Sequence, residues 1–224
     1  ETGDIHPFCF IHSFCFKVND LATWKLWLRD REKKVNLGFY GEVNAGKTTL
    51  ANRIGKDWAN KDVGIVSEIP HETREIQKLE SVKFESEKTH LDLTLIDMPG
   101  ISTTVDPKVF MKHGLSAKEA MKRAKEATRG IVEAIKYLEN VDVALVVVDA
   151  TKTPFDQVNF TILGNLEHQN KRFIIVANKI DLPGADSEKV LDAFSDYPTV
   201  PISALNGDGV EHLYEKIADL SKKV

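Results

Sequence analysis

From Val35 onward, short runs of β-branched and apolar residues alternate with longer stretches in which apolar positions recur every three or four residues. That alternation predicts a mostly parallel sheet covered by helices on both faces, an α/β fold. Strands are expected at 35–40, 78–84, 91–97, 141–148, 172–177 and 199–202, and helices at 47–54, 116–139, 155–169, 187–194 and 210–222. The run VDVALVVV at 141–148 shows no sustained polar alternation and reads as a central strand buried on both faces. The strands at 78–84 and 91–97 are joined by too few residues for a parallel crossover, so they are expected to form an antiparallel hairpin. Ser116 with Glu119 three residues later predicts a capping box at the start of the longest helix.

Residues 1–33 stand outside this rhythm and read as an N-terminal extension on a domain spanning 34–224. HPFCF at 6–10 and HSFCF at 12–16 are a near repeat, followed by LATWKLWL at 21–28 and a charged run. Three readings stay open. As a strand, the segment would align Phe8, Phe10, Phe14 and Phe16 in an apolar stripe, buried against the domain or a partner. The stripe, with Trp24, Trp27 and Leu28 beside Lys25, Arg29 and Arg31, would also suit peripheral contact with a membrane surface. His6, Cys9, His12 and Cys15 supply donors that zinc accepts.

Composition narrows the setting. Both cysteines fall within the first sixteen residues, which is no disulfide framework and points to a reducing, cytoplasmic location. No apolar run reaches bilayer-spanning length. Thirty Lys and Arg against thirty-four Asp and Glu leave a net charge of −4, so there is no strong nucleic-acid signal and room only for a local basic patch.

The chemistry begins at Gly41, where GEVNAGKT matches G-x-x-x-x-G-K-[ST] between an expected strand and an expected helix. A polyphosphate needs many donors on a small anionic surface, and a Gly-containing turn that opens a helix supplies converging N–H groups and the positive end of the helix dipole. Glu42, Val43, Asn44, Ala45 and Gly46, followed by Lys47, Thr48 and Thr49, are therefore the candidate phosphate site. Lys47 would reach the β- and γ-phosphates, and the Thr48 hydroxyl would bind the Mg2+ that bridges them. Base choice falls to Asn178-Lys179-Ile180-Asp181 at a carboxyl strand end. Asp181 can accept from the N1–H and exocyclic amine of guanine, whereas adenine presents an acceptor there. Asn178 would bond the guanine edge or tie its loop to the phosphate loop, and the Lys179 stem would lie over the ring.

The ordered set Gly41–Thr48, Thr73, Asp97-Met98-Pro99-Gly100, Asn178–Asp181 and Ser203-Ala204-Leu205 resembles the five guanine-nucleotide motifs of translation-factor-type (TRAFAC) P-loop GTPases, over residues 35–224. PHETRE at 70–75 resembles the switch segment P-G-T-T-R-D of the Era and TrmE-like branch, with His71 and Glu72 departing from it. The resemblance implies a six-stranded G domain that binds GTP and GDP and hydrolyses GTP. It places Ser203, Ala204 and Leu205 beside the guanine, Thr73 on the Mg2+, Asp97 on it through a water, and the Gly100 N–H at the γ-phosphate. Ile101 stands where Ras-type GTPases carry a water-orienting glutamine, and the catalytic base stays unassigned. In this branch an asparagine at the position of Asn44 helps hold K+; its plainer role is to stabilise the loop turn. Two functions follow: a molecular switch with slow, potassium-stimulated hydrolysis, or a GTP-dependent assembly module whose hydrolysis is negligible or needs an effector or self-association through the switch regions. A ribosome or RNA-modification role rests on the Era-like resemblance alone; the acidic balance weighs against it, and no RNA-binding domain is expected after Val224.

Overall fold

The computed structural model describes residues 33–64, 75–86, 89–102, 106–112 and 114–223. All six expected strands are among them: β1 Lys33–Gly41, β2 Gln77–Ser86, β3 Thr89–Asp97, β4 Val143–Asp149, β5 Arg172–Asn178 and β6 Thr199–Pro201. They form one sheet in the order β2-β3-β1-β4-β5-β6. Every neighbouring pair is parallel except β2 and β3, which pair antiparallel as the short connection required. A register shift between Leu79 and Val82 interrupts that hairpin, with Ser81 at a φ of 58°.

Alternation along the central strands builds two cores, one on each face. Val35, Leu37 and Phe39 of β1 and Val143, Leu145 and Val147 of β4 enter one core with helices α1 (Lys47–Ala59) and α6 (Val210–Ser221). Tyr40, Ala144, Val146 and Val148 enter the other. That second core also takes the end of α3 (Ala117–Lys136), with α4 (Gln157–His168) and α5 (Ser187–Ala193). Each fully buried Val, Leu or Ile contributes ~1.5–3 kcal/mol by leaving water, which is why β4, buried along its whole length, sits at the centre.

Several boundaries differ from the sequence expectation, among them the end of α1, which runs on to Ala59 rather than stopping at Ile54. The long helix keeps its Ser116–Glu119 capping box but closes at Lys136 into a 3-10 turn, Tyr137–Asn140, so β4 starts at Val143 rather than Val141. Val141 packs against Gly38 instead, where a side chain on the glycine would meet it. A sixth helix, α2 (Pro107–Lys112), lies in a stretch that had no expected element. Its start is written in Asp106-Pro107: the Asp106 carboxylate accepts from the Lys108 N–H at 2.8 Å, and proline suits the first helical position. With α3 it forms a hairpin that has a small core of its own, Phe110, Ala120 and Ala124 under Leu115.

Residues 33–224 form one compact unit, which opens one residue ahead of the expected domain. The segment 1–32 and Thr73, with the 70–74 part of its motif, lie outside the described residues. No helix among the described residues is long and apolar enough to cross a membrane.

Candidate guanine-nucleotide site

The phosphate loop runs from the end of β1 into α1, as its sequence context required. Gly46 opens the helix in the left-handed region at φ 96°, and a side chain there would run into the Asn178 amide. The first N–H groups of α1 have no acceptor within the helix, so they converge on the space before it. Asn44 also adopts a left-handed conformation, at φ 63°, which Asn tolerates better than most residues.

Lys47 is buried, and its Nζ donates to the Glu42 carbonyl at 2.8 Å. Burial pushes its pKa down to about 8, against the pull of Asp97 and Glu42. On the neighbouring strand end, Asp97 is fully buried. Its Oδ2 accepts from Thr48 Oγ1 at 2.6 Å, while its Oδ1 has no hydrogen-bond partner. Burial raises the Asp97 pKa, opposed by the Thr48 bond and by Lys47. An orphaned buried carboxylate oxygen beside a hydroxyl is the hard-oxygen pair that Mg2+ prefers, so the residues fit the ion. Gly100 lies against the loop so closely that a Cβ would stand 2.8 Å from Val43 Cα and 3.2 Å from Lys47 Nζ. Ile101 then pairs with the loop itself: its N–H donates to Gly41 O at 3.0 Å, and the Val43 N–H donates to Ile101 O at 3.3 Å.

The base end is a cavity of about 190 Å³ at the carboxyl ends of β5 and β6. Asp181, Lys179, Ala204 and Leu205 line it, and so does Thr49, which the sequence reading placed among the phosphate contacts. Of the two roles open to Asn178, the structure shows the tie. Its Nδ2 donates to Ala45 O at 2.9 Å and its Oδ1 accepts from the Ala204 N–H at 2.9 Å, joining the phosphate loop to the base loop. Ser203 is buried and shapes that loop from behind, its Oγ accepting from the Asn206 N–H at 3.0 Å.

Three contributors escaped the sequence reading. Leu182 is a second apolar residue of the cavity lining, with Leu205, and both side chains are exposed. Arg53, on α1, donates from Nε to Ala204 O at 3.1 Å and from its terminal nitrogen to Leu205 O. Asp149, buried at the end of β4, holds Lys179 Nζ at 2.6 Å, so the lysine stem lies as a wall of the cavity. Burial opposes the Asp149 charge, but the bonds from Lys179 and Thr151 outweigh it and hold the carboxyl below the usual range. Nothing in the local sequence marked Asp149; its pairing with β5 brings it beside Asn178.

A model of the 50S ribosome-binding GTPase family matches residues 36–179. The chain is 28% identical over 207 residues to the tRNA modification GTPase MnmE of Thermotoga petrophila, covering 90% of this chain and 40% of that protein. It is 32% identical over 184 residues to MnmE of Thermosipho melanesiensis, covering 82% and 34%. With GTPase Der of Aliivibrio fischeri it shares 28% over 230 residues, 98% and 41% of the two chains. The chain thus spans well under half the length of these relatives. Aquifex aeolicus Era bound to GDP.AlF4− has the same fold, with a TM-score of 0.64 and 24% identity over 84% of this chain and 57% of that one. A second Era structure, in complex with MgGDPNP and nucleotides 1506–1542 of 16S ribosomal RNA, gives a TM-score of 0.63 at 24% identity, with the same 84% and 57% coverage. With the phosphate loop, the Thr48–Asp97 oxygen pair and the base cavity at the strand ends, the chain belongs to the 50S ribosome-binding GTPase family and is a GTP-binding P-loop GTPase domain of the Era/TrmE-like type.

Proposed function

We propose that the chain is the switch domain of a protein that acts on ribosomal or transfer RNA, hydrolysing GTP to GDP and phosphate slowly alone and faster with potassium. The observation that carries the GTP-binding part of this reading is the Asn178 bridge, which ties the base loop to the phosphate loop. Asp181 selects guanine between Lys179 and the Ala204-Leu205 backbone, and Ser203 shapes the loop. Lys47 and the loop from Glu42 to Thr49 hold the phosphates. Thr48 and Asp97, the latter through a water, would hold Mg2+ with Thr73, and the ion would supply positive charge to offset what develops on the phosphates. The Gly100 N–H senses the γ-phosphate, and Asn44 helps place K+ at the loop. The protein works in the cytoplasm, residues 1–33 form an extension that docks the domain, and an effector protein reads the switch. The acidic overall balance spoke against RNA; the family match and the Era structure solved with 16S ribosomal RNA support the RNA-directed reading.

Single-turnover GTP hydrolysis in potassium and in sodium, at two protein concentrations, tests this. Faster turnover in potassium supports the role of Asn44, and equal rates remove it. A rate that rises with concentration supports activation through self-association of the switch regions.

One observation favours a second reading, a GTP-dependent assembly module with negligible hydrolysis of its own. Ile101 is 5% exposed and bonded to the phosphate loop, so the position after Gly100 offers no group to orient water. No measurable turnover at either concentration in either salt, with GTP still bound, would select it.

A further inference from the structure

The outer face of α3 carries a pattern that the nucleotide site does not use. At 100° per residue, Lys118, Lys122, Lys125, Arg129 and Lys136 fall within an arc of about 60°. Ala120, Ala124 and Ala134 lie on the opposite face and are buried. All five cations are exposed, and the stripe from Lys118 to Lys136 is about 27 Å long. Met121 and Val132, 52% and 49% exposed, border it on one side.

The acids of this hairpin do not cancel the stripe. Glu119 is turned into the capping box with Ser116, and Glu133 bonds Arg129 at 2.7 Å from the flank. Glu126 stands 3.9 Å from Lys122 on the same flank. Lys118, Lys125 and Lys136 have no carboxylate partner among the described residues. Between Asp106 and Lys136 eight Lys and Arg meet four Asp and Glu, a local charge of +4 in a chain whose total is −4. The rest of the protein therefore carries −8, and the positive field is concentrated on one hairpin that hangs from the sheet by the end of α3.

We infer that this stripe docks the phosphate backbone of double-stranded RNA. The inference rests on the RNA-directed reading above and names the surface that would serve it. A straight row of cations with intervals of about 4.5–10 Å along a rigid helix matches a polyanion, and its long lysines contact phosphates without reading bases. The stripe has few apolar neighbours and no aromatic residue within it, which favours a phosphate backbone over insertion into lipid.

The test measures binding of the full chain to an RNA duplex of about 20 base pairs across a salt series. Replacing Lys118, Lys125 and Lys136 together by Gln is expected to lower affinity at least tenfold and to flatten the log-affinity against log-salt slope by about two to three. GDP affinity and melting temperature should not move. Glu133→Gln, which releases Arg129, should tighten binding a few-fold. Duplex binding that the triple variant leaves unchanged in affinity and slope overturns this surface while leaving the RNA-directed reading intact. No RNA binding by the unmodified chain defeats both. Binding to vesicles containing phosphatidylserine but not to the duplex overturns the inference in favour of a membrane.

Discussion

At the guanine end of the site, the groups that frame the cavity are bonded within the protein: Asn178 bonds two loops, Asp149 holds Lys179, and Arg53 grips the backbone of Ala204 and Leu205. At the phosphate end, Asp97 keeps an oxygen without a partner, Lys47 is pushed toward neutrality, and Ile101 borrows hydrogen bonds from the loop it follows. The first end is held by bonds within the protein that a guanine need not displace. The second is held by contacts that a γ-phosphate and a metal ion would compete for. Selectivity can therefore be constant through a nucleotide cycle while the segment after Asp97 responds to it.

The largest effect expected at the guanine end comes from Asp181→Asn. Losing two charge-assisted bonds at ~1.5–3 kcal/mol each should weaken GTP roughly 150- to 25,000-fold. Xanthosine triphosphate should gain affinity, because the new amide donates to its C2 carbonyl; competition against a fluorescent GDP reports both. Next, Asn178→Ala leaves the Ala45 carbonyl and the Ala204 N–H unpaired in a buried site. Two such orphans cost about 2–4 kcal/mol, to be read as a fall in the urea midpoint at unchanged slope. A variant as stable as the parent would mean that the base end is not prebuilt.

At the phosphate end, chelating Mg2+ should weaken GTP about 10- to 100-fold while GDP loses less, if Asp97 and Thr48 serve the ion as proposed and its charge is offered to the terminal phosphate. Equal losses would show the two ends responding alike. The smallest effect is protonic. Lys47 titrates near 8 in the free protein, against 10.5 for an ordinary lysine, and a bound polyphosphate raises that value. In the window above pH 8, binding must then take up a proton, and affinity should fall as pH rises. Calorimetry in two buffers of different ionisation enthalpy would show the uptake above pH 8 and little of it at pH 7.

Most of the fold was legible because it rests on local signals. β4 and β5 carry apolar runs rich in β-branched residues, and the phosphate loop and Asn178–Asp181 sit where strand ends were expected. The Ser116–Glu119 box also formed as read. What escaped depends on contacts between distant segments. Asp149 and Arg53 matter only because the sheet order and α1 bring them to Lys179 and the base loop. Leu182 reads as an ordinary loop leucine until the cavity closes beneath it. The α2 helix was missed for another reason: six residues are too few to show a period, although Asp106-Pro107 marks its start. Val141 has the composition of a strand residue, but the 3-10 turn before it moves it off the ladder and onto Gly38.

The difference between the two ends is tested most directly by amide hydrogen exchange of the Mg2+-loaded protein with GDP and with a non-hydrolysable GTP analogue. Exchange at Asn178–Asp181 and Ser203–Asp208 should be equally slow with both nucleotides, while Asp97–Ser102 should differ between them. Protection that changes at the guanine end and stays constant at Asp97–Ser102 would contradict a prebuilt base site coupled to a responsive phosphate sensor.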